Sequence, residues 1–368
     1  MAIMPEGPWV LVIGCHRSGT SAVTGALVAL GLQGVDPADQ METLVSNPEH
    51  GESLGAALYD EALLARVDAA WDAPPPQASE PLVADDAGLT DPAAIMAAAY
   101  PGTGPLVWKD PRACLLLPHW RRLLPGPLTV VLVWREPLSV ARSLHTRNAM
   151  PLVDGLALWE RYNRSAAAGL QGVDTYVVDY DHVLEDPQGA IGAIAGWIAG
   201  LDRIVEPAGG WNVAAAAATI DRTLHHETAR GGMPDGLPQV HGAVAEWLRD
   251  AAGAHTPLHT QPPPPESPWP EAVLETRREA ARWRRMVEAR DAALVAQATE
   301  HAEIVALLEA LVRSRDIRVH VLTSDLAGEA LRYAGIKAEL DRIRGSTSWR
   351  ATAPIRAALG MLSGRGTP

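Results

Sequence analysis

Four clusters hold the side chains of this 368-residue chain that can do chemistry. The first, Gly14-Cys15-His16-Arg17-Ser18-Gly19-Thr20-Ser21, combines two glycines, one strong cation and a run of hydroxyls. Glycines let backbone N–H groups close on a ligand, and a helix start adds partial positive charge, so such a turn suits a phosphate or sulfate. The second, Glu49-His50-Gly51-Glu52, gathers two carboxylates and an imidazole. These can take the proton of an attacking alcohol, or simply complement the dipole of a helix that starts there. The third, Lys109-Asp110-Pro111-Arg112, sets two cations around an aspartate, either to meet an anion or as an ion-pair knot. The fourth is Arg135-Glu136-Pro137 with Ser143 eight positions after the arginine. A guanidinium fork and a hydroxyl so spaced can grip one phosphate together. Arg142 and Arg147 read as solvent-facing or acceptor-side charges.

The flanking pattern sets these clusters at strand ends. Trp9 to Ile13 is a short β-branched run that predicts a buried parallel strand, and helical spacing starts at Thr20 with Val23, Leu27, Val28 and Leu30. A helix is expected from Ser53 to Val67, with Leu54, Leu58, Leu63 and Val67 on one face. Pro105 to Trp108 predicts a strand, followed by a helix through Leu115, Leu116, Trp120 and Leu123. Residues 128 to 134 form a continuous apolar run suited to a central strand. A long amphipathic helix spans Leu152 to Leu170, and a strand from Thr175 to Val178 leads to Asp179, read as a helix cap. Asp186-Pro187 opens a helix to Ile198, and a last one runs from Val240 to Ala252. Strands alternating with helices predict an α/β fold with a parallel sheet, whose ligands bind at the strands' carboxyl ends.

Bulk properties narrow the class. Hydrophobic content of 47% with 20% charged residues describes a soluble globular protein. A net charge of -13 argues against nucleic acid as a partner, which requires a basic surface. The two cysteines, Cys15 and Cys114, are too few for a disulfide framework and fit a reducing compartment; Cys15 reads as a small buried filler. No secretory segment and no membrane-length apolar stretch is read, so a cytoplasmic location is expected. Leu224-His225-His226-Glu227 lacks the ligand spacing of a zinc site and reads as a turn without metal.

The first cluster departs from the nucleotide-triphosphatase pattern G-x-x-x-x-G-K-[ST], because Thr20 stands in the lysine's place. With Arg17-Ser18-Gly19-Thr20-Ser21 it resembles the 5′-phosphosulfate loop of sulfotransferases that use 3′-phosphoadenosine 5′-phosphosulfate (PAPS). Many carbohydrate-acting members carry arginine there. The Arg135…Ser143 spacing resembles that family's 3′-phosphate site. Lys109-Asp110-Pro111-Arg112, Trp159 to Asn163, and the stretch from Asn47-Pro48 to Glu52 (one residue shorter than the family's N-P-x-G-x-x-E) are similar too. The resemblance covers roughly residues 8 to 230. It implies a P-loop-like parallel sheet flanked by helices, and transfer of a sulfuryl group from PAPS to an acceptor hydroxyl without a metal. Gly14, His16, Arg17, Ser18, Gly19, Thr20 and Ser21 would hold the 5′-phosphosulfate, with Arg17 on the leaving oxygen. Arg135 and Ser143 would take the 3′-phosphate. Glu52 is the candidate base with His50 in reserve, and Lys109 and Arg112 would meet the sulfate or an anionic acceptor. A P-loop kinase or NTPase using Asp179 for magnesium, and a non-catalytic nucleotide-binding scaffold, are the rivals.

The α/β domain is expected over 1–253, followed by a stiff proline-rich linker at 254–270. Over 271–345 a seven-residue step through Val273, Ala280, Val287, Leu294 and Leu308, then Leu326, Tyr333 and Leu340, predicts a coiled coil or helical hairpin broken near Ser314 to Val321. Self-association or partner docking is expected, with packing on its own domain the alternative. The basic amphipathic tail, 346–368, resembles the ends of helical regions in bacterial glycosyltransferases and related glycan enzymes. It favours a carbohydrate or glycolipid acceptor, and its composition fits peripheral membrane contact.

Overall fold

A computed structural model describes residues 3–40, 51–77, 87–102, 104–206, 210–221, 241–265, 267–313 and 319–353, the side chains of 305–327 aside. β1 (Trp9–Ile13) turns into α1 (Thr20–Leu30). α2 (Leu54–Ala65) and α3 (Pro92–Ala99) precede β2 (Leu106–Lys109). Then come α4 (Ala113–Leu123), β3 (Thr129–Trp134), α5 (Pro137–Asn148), α6 (Leu152–Gly169) and β4 (Asp174–Asp179). α7 (Tyr180–Glu185), α8 (Pro187–Ala199), α9 (Val213–Ala218) and α10 (Gly242–Asp250) lead to a short β5 (Gly253–His255). α11 (Trp269–Arg313), α12 (Val319–Gly345) and α13 (Thr347–Ala351) follow.

The sheet order is β2-β1-β3-β4-β5, with β5 alone antiparallel. Side chains alternate between its faces. Trp9, Leu11, Ile13, Trp108, Leu132 and Trp134 enter one apolar cluster with α2, α4, α6 and α10. Val10, Val12, Val107, Val131 and Val133 enter the other with α1, α7 and α8. Both faces of β1 and β3 are therefore covered, which is why each reads as an unbroken apolar run. The chain steps from β1 outward to β2 and then back across to β3. This reversal opens a crevice at the carboxyl ends of β1 and β3, where two of the four chemical clusters begin, and a third begins at the neighbouring end of β2.

Two expectations change. α2 does not bury the leucine face: Leu54 and Leu58 are 42% and 62% exposed, while Ala56, Tyr59, Asp60 and Leu63 turn inward. That set keeps the i, i+3, i+4, i+7 spacing and can include Asp60 because Trp120 Nε1 donates to its carboxylate at 2.8 Å. The proline-rich segment, in turn, is not a spacer. β5 extends the sheet, the Leu258 N–H donates to Val173 O at 2.9 Å, and Gln171 Nε2 donates to Thr260 O at 2.8 Å. Prolines lack N–H groups but keep their carbonyls, so such a segment can lie along a domain edge as a row of acceptors.

The chain forms two compact units, Met1–Glu279 and Ala280–Pro368. The first therefore takes in the opening turns of α11, where Leu274 is buried in the first unit's core. In the second, Trp283, Met286, Val295 and Leu331 are exposed, and the rings of His301 and Tyr333 meet edge-on at 6.4 Å. The break expected near Ser314, the cluster at Leu224 to Glu227 and the tail beyond residue 353 lie outside the described residues. Among the described residues no helix is long and apolar enough to cross a membrane.

Candidate functional site

The turn after β1 is shaped by both of its glycines. A Cβ on Gly14 would sit 2.1 Å from Val133 O, so the close approach of β1 to β3 requires a bare Cα there. Gly19 has φ 90° and packs on Tyr180, whose ring a Cβ would meet at 2.1 Å. Between them Arg17 takes φ 71°, unusual for a side chain of its size and the kind of strain that collects at functional sites. No side chain caps α1 and its first turn holds no acidic residue, so its N–H groups and positive dipole end face the turn. The Ser18 hydroxyl is buried and has no hydrogen-bond partner among the described residues. An anion of several oxygens fits this cradle, which offers donors that the protein itself leaves unused.

Arg17 joins the turn to α5: its Nε donates to Ser143 Oγ at 2.8 Å, across 126 residues of sequence. Burial lowers the proton affinity of Arg17, and the nearby guanidinium groups of Arg147 and Arg135 lower it further. Arg135 leaves the tip of β3 with its backbone carbonyl held by Trp159 Nε1 at 2.9 Å. Its guanidinium lies 5.6 Å over the Tyr180 ring, with Nε 3.6 Å from Asp181 Oδ1. Two further arginines thus add to the positive charge around Arg17, and no carboxylate among the described residues pairs with Arg17, whereas Arg135 has Asp181 beside it. Like charges gathered in this way call for an external anion.

On the other side of β1, the tip of β2 is neutralised from within. Lys109, 2% exposed, donates to Glu52 and, at 3.1 Å, to Ser21 Oγ. Arg112 donates to Glu52 Oε2 at 3.3 Å, to Asp110 Oδ1 at 3.1 Å and to Glu61 Oε1 at 2.7 Å. Burial pushes the Glu52 carboxyl up, but Lys109 and Arg112 outweigh it and hold it at about 2. Burial raises the Asp110 carboxyl against the pull of Arg112. His16 points into an aromatic corner, 4.7 Å from Trp71 and 5.4 Å from Tyr162. Burial, then Arg112, keep its imidazole neutral well below the usual range.

No protein-family model matches the chain, and no curated protein matches it in sequence. Solved structures do match. The sulfotransferase domain from the Synechococcus PCC 7002 olefin synthase is 16% identical over 67% of this chain and 96% of that one, with a TM-score of 0.39. The sulfotransferase domain from the curacin biosynthetic pathway is 13% identical over 71% and 100%, also at 0.39. At such scores the likeness carries no argument about activity, and a role for this site has to rest on its own geometry.

That geometry unites Arg17 with Ser143, and Ser21 with Lys109, Glu52 and Arg112. Arg135 and Ser143 are not bonded to each other; Arg17 stands in as the partner of Ser143. Thr20 is buried with its methyl against Gly14, and His16 serves the aromatic corner. Cys15 and Cys114 are free and buried, and burial raises both thiols, which makes them fillers. Asp179 caps α7, accepting from Asp181 N at 3.0 Å. His50 lies outside the described residues. The sequence reading gives no role to Tyr180 or Trp71, and Tyr162 enters it only inside the Trp159 to Asn163 stretch. Tyr180 was findable, since it directly follows a strand whose end faces the crevice. Trp71 sits in a turn with nothing local to mark it.

Proposed function

We propose that this chain is a sulfotransferase that moves a sulfuryl group from PAPS to a hydroxyl of a carbohydrate or glycolipid acceptor. The observation that carries the reading is the Arg17–Ser143 hydrogen bond, which makes one crevice of two anion-holding clusters far apart in sequence. Bound there, the donor supplies the sulfuryl group: an S–O bond forms to the acceptor oxygen while the S–O bond to the 5′-phosphate breaks. The N–H groups of the turn, the Ser18 hydroxyl and Arg17 hold the 5′ end, and Arg17 offsets charge on the leaving oxygen. Arg135 and Ser143 hold the 3′-phosphate. Lys109 and Arg112, buried among carboxylates, fix Glu52 and the floor of the site rather than bind an anion outright.

Glu52 receives the proton of the attacking hydroxyl. A carboxylate held at about 2 is a weak base for an ordinary alcohol. The oxygen becomes strongly acidic once its bond to sulfur is forming, however, and a late transfer then needs only an ionised carboxylate in place. A kinase reading has less support, because the loop lysine is replaced and Asp179 is engaged in capping α7.

Calorimetry and thermal shift with 3′-phosphoadenosine 5′-phosphate, against ATP with Mg²⁺, test the reading. Binding and stabilisation by the bisphosphate nucleotide without added metal are expected. Stabilisation by ATP–Mg²⁺ alone would overturn it.

A further inference from the structure

The turn at Trp71 is held with more care than a surface loop needs. Ala70 and Ala73 exchange backbone hydrogen bonds at 3.0 and 3.1 Å, leaving Trp71 and Asp72 at the tip. Four carbonyls of the segment are then captured by side chains. Tyr162 Oη donates to Trp71 O at 2.8 Å, Arg277 Nε to Asp72 O at 2.5 Å, Arg278 Nη1 to Pro74 O at 3.0 Å and Arg161 Nη1 to Pro75 O at 2.7 Å. Arg277 reaches further, with Nη2 on Asp72 Oδ2 and Nη1 on Asp154 Oδ2, both at 2.6 Å. Arg277 and Arg278 belong to the first turns of α11, inside the first compact unit.

What this clamp presents is the half-buried indole of Trp71, against His16 of the anion-holding turn. Trp71 packs on the sheet face covered by α2, α4 and α6, and Glu52, the candidate base, is bonded to Lys109 at the tip of β2. The 3′-phosphate residues Arg135 and Ser143 follow β3, on the opposite side of β1. On the proposed reading the nucleotide runs from the turn toward β3, and the indole beside His16 offers the acceptor an aromatic surface next to that turn. An indole offers a flat apolar face and a polar edge, which suit the C–H face and hydroxyl rim of a sugar ring.

Resting on the sulfotransferase reading above, we propose that Trp71 is the acceptor wall, a surface for a sugar ring, and that Arg277 is a positioning residue that holds it. The base of the helical arm is on this view a part of the acceptor site.

The test uses the full-length chain, a panel of p-nitrophenyl glycosides as acceptors, and calorimetry with 3′-phosphoadenosine 5′-phosphate. For Trp71→Ala the acceptor KM should rise about tenfold or more, with the nucleotide Kd unchanged. Arg277→Ala should raise the acceptor KM and also lower kcat, by up to about a hundredfold for a misplaced wall. Arg277→Lys, which keeps the charge but not the fork, should recover part of this. An unchanged acceptor KM in Trp71→Ala overturns the proposal, as does a nucleotide Kd that weakens in step with KM, since the indole would then serve the donor. A wild type that binds the nucleotide but sulfates none of the glycosides overturns the sugar wall. A wild type that does not bind the nucleotide overturns the sulfotransferase reading instead.

Discussion

Arg17 and Arg112 flank the same strand end and are treated in opposite ways. Arg112 is ringed by Glu52, Asp110 and Glu61; burial works against its charge, but those carboxylates outweigh it and strengthen its hold on its proton. Arg17 is bonded to a hydroxyl and crowded by two other arginines, and its hold is weakened. One cation is surrounded by carboxylates of the fold; among the described residues the other has none. A buried charge that has its partners serves structure, and removing one partner strands the rest. A charge gathered with its own kind costs stability unless an anion offsets it, and on the proposed reading that difference separates the binding side of the crevice from the structural one.

Four measurements can break or sharpen that contrast. Arg112→Ala should cost roughly 3–5 kcal/mol of unfolding free energy, because Asp110 loses its buried ion-pair partner and Glu52 keeps only Lys109; an unchanged denaturation midpoint would remove the structural half of the comparison. Arg17→Ala should leave that midpoint unchanged or raised, yet lower sulfotransfer turnover by about 10²–10³. A variant that unfolds easily but turns over normally would reverse the two roles. Gly19→Ala should cost about 1–3 kcal/mol by forcing Tyr180 from beneath Arg135, and should weaken binding of the bisphosphate nucleotide; tight binding would show that Tyr180 is incidental. The smallest effect is a pH dependence. The Glu52 carboxyl is depressed from its ordinary 4.5 to about 2, so its contribution to stability is complete above 4.5 and fades as pH falls toward 2. The melting-temperature gap between wild type and Glu52→Gln should accordingly be flat from pH 8 to about 4.5 and close below that. A gap that changes near pH 7 would place another titrating group at the site.

Much of the first unit was legible because its signals are local. The five residues of β1, the start of α1 at Thr20, the caps at Asp179 and Asp186 and the apolar run of β3 are all as the pattern predicts. Periodicity misled at α2, where Leu54 and Leu58 point outward and Asp60 goes in. A count of apolar residues cannot foresee that Trp120 will satisfy Asp60. Composition misled at 254–270, since richness in proline says that a segment is extended and not what it lies against.

The chain's own order of residues was enough to determine the α/β class, the glycine-framed turn and the presence of four chemical clusters, because each is written within a dozen neighbouring positions. Only the tertiary structure decided that Arg17 would meet Ser143, that Lys109 and Arg112 would be neutralised by Glu52, and that Arg277 would clamp the turn at Trp71. Those pairings span from 57 to 205 residues. They depend on which strand tips the sheet order sets side by side, and spacing along the chain carries no record of that order.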